Sequence, residues 1–205
     1  MIKNVDLIVK AFEFAITRHK IQERKPEGSK ISYICHLMDV ASILTKNMAS
    51  DDLVAAGFLH DVVEDNKYTE VTEEDLRAEF GDIITELVMA VTERDKSLDW
   101  KTRKTIMIEK LASESKEVQM LKCADSLANL KDSLSDYALG GIDALNKFKG
   151  DLSNQLWQFK SILDALEKIK DLPMYSQYEE AVKRFGTILS DNEIKLTDVG
   201  KIARL

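Results

Sequence analysis

Apolar side chains recur at helical spacing from the start of the chain. Val5, Ile8, Val9, Phe12, Ala15 and Ile16 share one stripe, which predicts an amphipathic helix over residues 5–20 that ends near Gln22. The stretch Glu23 to Lys30 (ERKPEGSK) gathers Pro, Gly, Ser and charge, a composition that breaks a helix and predicts a solvated loop. A second helix is predicted from Ser32 through Met38, Val40, Ile43 and Leu44. After an interruption at Ser50-Asp51-Asp52, a third runs through Leu53, Ala56, Phe58 and Leu59 and stops on His60-Asp61. Thr72-Glu73-Glu74-Asp75 has the form of a capping box and opens a helix that Gly81 closes, with residues 82–92 starting another. Glu93 to Thr105 is polar enough to be a connection into a basic helix start. From Val118 the run VQMLKCADSLANL predicts a core helix with Asp125 in its middle. Residues 141–171 read as one long amphipathic helix with Pro173 marking its end, and a short helix from Tyr178 to Leu189 precedes a weakly patterned tail.

Composition narrows the class. Two prolines and eight glycines in 205 residues leave few obligatory breaks, and Leu, Ala, Glu, Lys and Ile dominate, so the expected class is all-α. Length suits one domain, expected over residues 1–170, with 171–205 as a C-terminal helical extension packed on it. Cys35 and Cys123 lie far apart and form no CxxC, which gives a disulfide framework or zinc knuckle no support and fits a reduced, cytoplasmic setting. The N-terminus mixes charges through its apolar residues, unlike a signal peptide, and no apolar run approaches the roughly 20 residues of a membrane span. A formal net charge of −7 argues against nucleic acid as partner; an anionic small substrate would need a local positive site.

The candidate chemistry lies where charge meets an apolar pattern. Asp125 is flanked by Leu121, Ala124, Leu127 and Leu130, and an ionised carboxylate there needs a partner or a metal. His60-Asp61 follows the apolar AAGFLHD and offers two adjacent ligands from one helix end, an imidazole and a carboxylate that together suit metals of intermediate softness. Such a doublet is by itself more often a surface or capping feature, and His36 alone reads as a core histidine. In HDVVED the spacing from His60 to Glu64 is one helical turn, so Asp61, Glu64 and Asp65 crowd like charge that a cation would relieve. The bland alternative is a solvated acidic loop.

The strings HLMDVASIL, AAGFLHDVVEDNKYTEVTEEDLRAEFGDIITELVMAVTE and LKCADSLANLKD, in that order, resemble the hydrolase domain of the RelA/SpoT homologues, the alarmone enzymes of the stringent response. The likeness covers about residues 5–165 and is strongest to the small, stand-alone hydrolases, which implies an HD-domain helical bundle with a metal site in its core. Carried over by residue, it implies metal ligands His36, His60, Asp61 and Asp125, with manganese as the ion and another divalent transition metal left open. It implies a catalytic acidic pair, Glu64 and Asp65. The family's basic loop falls on His19-Lys20 and Arg24-Lys25, its polar residue after the last ligand on Asn129, and a phosphate-contacting stretch on Lys96, Arg103 and Lys104. Three positions depart from the pattern: Ser126 replaces a basic residue, Leu37 replaces a proline, and the approach to His36 reads Ile31-Ser32-Tyr33.

The activity implied is removal of the 3′-pyrophosphate from guanosine 3′,5′-bis(diphosphate) or its pentaphosphate analogue. Alternatives are another HD phosphohydrolase acting on a nucleoside monophosphate or a nicotinamide cofactor phosphate, a non-catalytic nucleotide sensor, or a helical interaction module. A homo-oligomer stays open. Arg24 can stack its guanidinium plane on a purine, which a lysine cannot imitate.

Overall fold

Most helices begin where a short polar side chain accepts an N–H that the first turn leaves unpaired. The computed structural model describes residues 2–24, 30–64, 69–93, 95–148 and 152–192. Among these residues the helices are α1 (Val5–Arg18), α2 (Ile34–Lys46), α3 (Asp51–Leu59), α4 (Glu73–Val91), α5 (Trp100–Ser113), α6 (Lys116–Gly140), α7 (Leu152–Ala165) and α8 (Pro173–Asp191). Asn4, Ser50, Thr72, Asp99 and Ser115 cap α1, α3, α4, α5 and α6. Thr72 and Asp75 exchange both bonds of the capping box that their spacing predicts. Besides helices, the described residues pair only as an isolated antiparallel bridge between Glu23 and Ser32. The all-α expectation agrees with this architecture.

Helix α6 is the axis of the bundle. Val118, Leu121, Cys123, Ala124, Leu127 and Leu130 are buried, and the helix packs against α2, α3, α4 and α8. A helix buried on several sides leaves little room for polar residues, so the charged ones it carries inward stand out. Helix α3 lies close against α2 at Gly57, where a Cβ would stand 2.7 Å from Leu44 Cδ1. That approach sets the C-terminal end of α3, with His60, beside the first turn of α2, with His36.

Gly81 has φ +76°, a left-handed conformation that costs glycine little, and it splits α4 into two segments as the sequence predicts. The reading of 141–171 as one helix is corrected. Gly141, at φ +65°, caps α6, a 3₁₀ turn covers Ile142–Phe148, α7 spans Leu152–Ala165, and a second 3₁₀ turn covers Glu167–Ile169. The overlooked signal is Gly150-Asp151, a helix stop followed by a capping-type residue. Pro173 opens α8 instead of ending a helix, since the first helical position needs no N–H donor. The segment beyond Asn192 lies outside the described residues.

Asn47 joins two ends of the bundle. Its buried side chain donates to the Ile43 carbonyl at 2.9 Å and accepts from the Met174 N–H at 2.9 Å, tying the end of α2 to the start of α8. Replacing it leaves the Met174 N–H without its acceptor, while the Ile43 carbonyl keeps only the residue 47 backbone N–H. Asn47→Ala is expected to cost about 2 kcal/mol and to lower the melting temperature by about 4–8 °C. Thermal unfolding by circular dichroism checks this, and an unchanged midpoint would show that the tie carries no stability.

Candidate metal centre

Three helices deliver the ligand candidates to one point. His36 comes from the first turn of α2, His60 and Asp61 from the end of α3, and Asp125 from the middle of α6. His36 Nε2 is 3.3 Å from His60 Nε2 and 3.4 Å from Asp125 Oδ1. Asp61 Oδ2 is 2.9 Å from His60 Nε2 and 3.8 Å from His36 Nε2. The candidate atoms of His36, His60 and Asp125 all lie within 4.8 Å of one another. Donors that share one ion about 2.1 Å away stand about 3.0–3.5 Å from each other, so these spacings fit a common cation.

Tautomers agree with that fit. His60 Nδ1 sits 2.8 Å from the Gly57 carbonyl, which can only accept, so the proton belongs on Nδ1 and the Nε2 lone pair faces the cluster. Two imidazole nitrogens facing each other at 3.3 Å need a proton or a metal ion between them. Charge points the same way. Burial works against a charge on His60, yet Asp61 and Asp125 outweigh it and raise the imidazole to about 9. Burial holds His36 below its ordinary range, with Asp125 opposing and His60 and Arg24 assisting. Burial would raise both aspartates, but His60 holds Asp61, and Lys122 with both imidazoles holds Asp125, well below the usual carboxylate range. Two ionised carboxylates and a proton-hungry imidazole in an apolar bundle call for a cation.

Around the ligands stands a ring of orienting groups. Lys122 Nζ donates to Asp125 Oδ2 at 2.8 Å, and Asn129 Nδ2 donates to Asp125 Oδ1 at 2.6 Å. The Tyr33 hydroxyl donates to Asp61 Oδ2, and its ring stacks on buried His19 at 5.1 Å. Glu64, just past the ligands, accepts the Glu93 N–H at Oε2 (3.0 Å); burial and the charge of Asp61 raise its carboxyl above the ordinary range.

The cations read from the sequence flank the cluster on two sides. Arg24 donates to Asn129 and Asp132 from one side. From the other, Lys96 Nζ donates to the Glu64 carbonyl, while Arg103 and Lys104 both pair with the Glu93 carboxylate. Lys20 is solvent-exposed beyond α1. Asp65 and Lys25 lie outside the described residues. Sequence reasoning missed Lys122, Glu93, Tyr33 and Asp132. Lys122 carried a usable signal, a lysine three residues before Asp125 in the same apolar run; Glu93 sits in a polar segment with none.

The HD domain family model matches residues 11–136, a span that contains all four ligand candidates and Glu64. The chain belongs to the HD domain family. It is 38% identical over 128 residues to the human guanosine-3′,5′-bis(diphosphate) 3′-pyrophosphohydrolase MESH1, covering 61% of this chain and 68% of that protein. To the Drosophila melanogaster protein of the same name it is 35% identical over 126 residues, 60% of this chain and 68% of the relative. A solved structure of a metazoan orthologue of SpoT, described as hydrolysing ppGpp with a role in starvation responses, superposes with a TM-score of 0.68. It shares 26% identity and covers 92% of this chain and 97% of its own. No helix among the described residues of this HD protein is long and apolar enough to cross a membrane.

An HD domain with this His/Asp cluster suits a divalent metal. Saturating the protein with manganese at about 100 times its Kd is expected to add about 2.7 kcal/mol and to raise the melting temperature by about 5–10 °C. Asp125→Ala is expected to abolish that shift and to weaken the ion by more than about 100-fold, the upper end for losing only an outer partner. Titration calorimetry with differential scanning fluorimetry checks both, and an unaltered shift in the variant would place the ion elsewhere.

Proposed function

We propose that this chain removes the 3′-pyrophosphate of guanosine 3′,5′-bis(diphosphate) and its pentaphosphate analogue, giving GDP or GTP and pyrophosphate, with manganese as its ion. The observation that carries the reading is the meeting of His36, His60 and Asp125 from three helices. This happens inside an HD domain whose curated relatives, at 35–38% identity, are pyrophosphohydrolases of that nucleotide. Asp61 completes the proposed ligand set beside both imidazoles.

A bound divalent ion supplies Lewis acidity toward a phosphoryl oxygen and lowers the pKa of water at the site. The remaining chemistry belongs to side chains. Glu64, held at Oε2 by the Glu93 N–H, is the general base, taking a proton from the attacking water at Oε1. Its raised carboxyl suits that work, because a stronger base accepts a proton more readily. Asp65 is its proposed acidic neighbour. Lys122 fixes Asp125 Oδ2, so that Oδ1 is presented to the imidazoles.

Substrate charge needs cations, since the acidic groups would otherwise repel a bis(diphosphate). Lys20, Lys25, Lys96, Arg103 and Lys104 are proposed for the phosphates, with Arg24 and Asn129 on the nucleoside side. Arg103 and Lys104 reach that role only as far as a phosphate can compete with Glu93 for them.

Product analysis tests the proposal. With manganese the wild type is expected to release pyrophosphate and GDP from guanosine 3′,5′-bis(diphosphate), and Glu64→Ala is expected to lower kcat by about 10²–10⁴ with little change in KM. Orthophosphate as the product, or no turnover by a manganese-loaded protein, would point to a different HD phosphohydrolase.

A further inference from the structure

One face of α6 carries three polar residues in a single row. Asp125, Asn129 and Asp132 are spaced by four and then three residues, the spacing that stacks side chains along one helix face. The first contacts both imidazoles and the second bonds the first. Asp132, at the outer end, takes two hydrogen bonds from Arg24, Nε at 3.1 Å and Nη2 at 2.6 Å, both on Oδ2. Arg24 Nη2 also donates to Asn129 Oδ1 at 2.8 Å, and the guanidinium carbon lies 5.4 Å from the centre of the Tyr33 ring. At the backbone, the Arg24 N–H bonds the Ile31 carbonyl at 2.8 Å, inside the bridge that joins Glu23 to Ser32. The arginine is thus fixed at both ends of its side chain before any ligand arrives.

A carboxylate here is unexpected. Asp132 adds negative charge beside a site proposed to take a highly anionic nucleotide, and its ion pair reduces Arg24's value as a phosphate counter-ion. What the pair supplies is pose. A free arginine gives up much rotamer freedom when a ligand immobilises it, and a side chain already clamped has lost that freedom beforehand. The clamp also holds the guanidinium over the Tyr33 ring, its carbon 5.4 Å from the ring centre, which places a planar group beside an aromatic one where a flat base could join them.

We infer that Asp132 is a positioning residue for nucleotide recognition: it clamps Arg24 in the pose that meets the nucleobase. Through Asn129, it ties that pose to the ligand Asp125. The inference rests on the proposed nucleotide reading, in which Arg24 faces the nucleoside. It assigns Asp132 to binding and leaves the chemical step to the residues around Glu64.

The test compares wild type, Asp132→Asn and Arg24→Ala, each full length and loaded with manganese. It measures kcat and KM for guanosine 3′,5′-bis(diphosphate), the Kd of GDP as a base-bearing probe, and manganese affinity by calorimetry. Asp132→Asn keeps the size of the side chain and removes its charge. It is expected to raise both KM and the GDP Kd by about 3- to 10-fold, with kcat changing less than KM and manganese affinity within twofold of wild type. Arg24→Ala is expected to raise both constants at least as much. An unchanged or lowered KM in Asp132→Asn, with Arg24→Ala impaired, would overturn the inference, and a lowered KM would make Asp132 a competitor for Arg24. A fall in kcat together with manganese affinity would overturn it as well, since Asp132 would then act through the metal site. Failure of the wild type itself to turn over the nucleotide would count against the functional reading.

Discussion

The structure turns on one electrostatic demand: two carboxylates and two imidazoles, brought together inside an apolar bundle, must share a positive charge. Asp61 and Asp125 stay ionised although burial disfavours it, and His60 gains a proton affinity far above an ordinary imidazole. Lys122 meets part of the demand from Asp125 Oδ2. The rest is focused on the point between His36 Nε2, His60 Nε2 and Asp125 Oδ1, with Asp61 Oδ2 beside both imidazoles, and the first three lie close enough together to share a divalent ion. Breaking such a cluster by removing one member leaves the others buried and uncompensated, so the fold around it must hold the helices in register.

That register comes from ordinary packing. Gly57 lets α3 approach α2, and the same residue's carbonyl orients His60, so one glycine sets both the helix distance and the tautomer. Helix α6 brings Asp125 to the centre because its flanking leucines and alanines are buried against several neighbours. From the ligands outward the polar contacts run in two directions. One passes through Asn129 to Arg24 and Asp132, the other through Glu64 to Glu93, Arg103 and Lys104. Each arm ends in an acid–base pair, which keeps the cations ordered at the rim.

Much of this was legible in the sequence where local chemistry dictates local structure. The capping box at Thr72, the break at Gly81 and the end of α3 at His60 each follow from one or two residue types at fixed spacing. Asp125 announced itself as a charge in an apolar run. Long-range pairing was not legible. Arg103 and Lys104 read as open cations because nothing local marks Glu93, ten and eleven residues earlier, as their partner. Likewise Asp132 finds Arg24 across 108 positions. The single helix expected over 141–171 fails for another reason: amphipathic spacing persists across the whole stretch, although the sequence also carries a stop signal at Gly150-Asp151.

The most direct measurement of the central claim is anomalous X-ray diffraction from crystals of the protein grown with manganese, collected on both sides of the metal edge. The account predicts one strong peak per chain, within bonding distance of His36 Nε2, His60 Nε2 and carboxylate oxygens of Asp61 and Asp125. A cluster that stays empty at saturating manganese, or a peak coordinated by other residues, would contradict it.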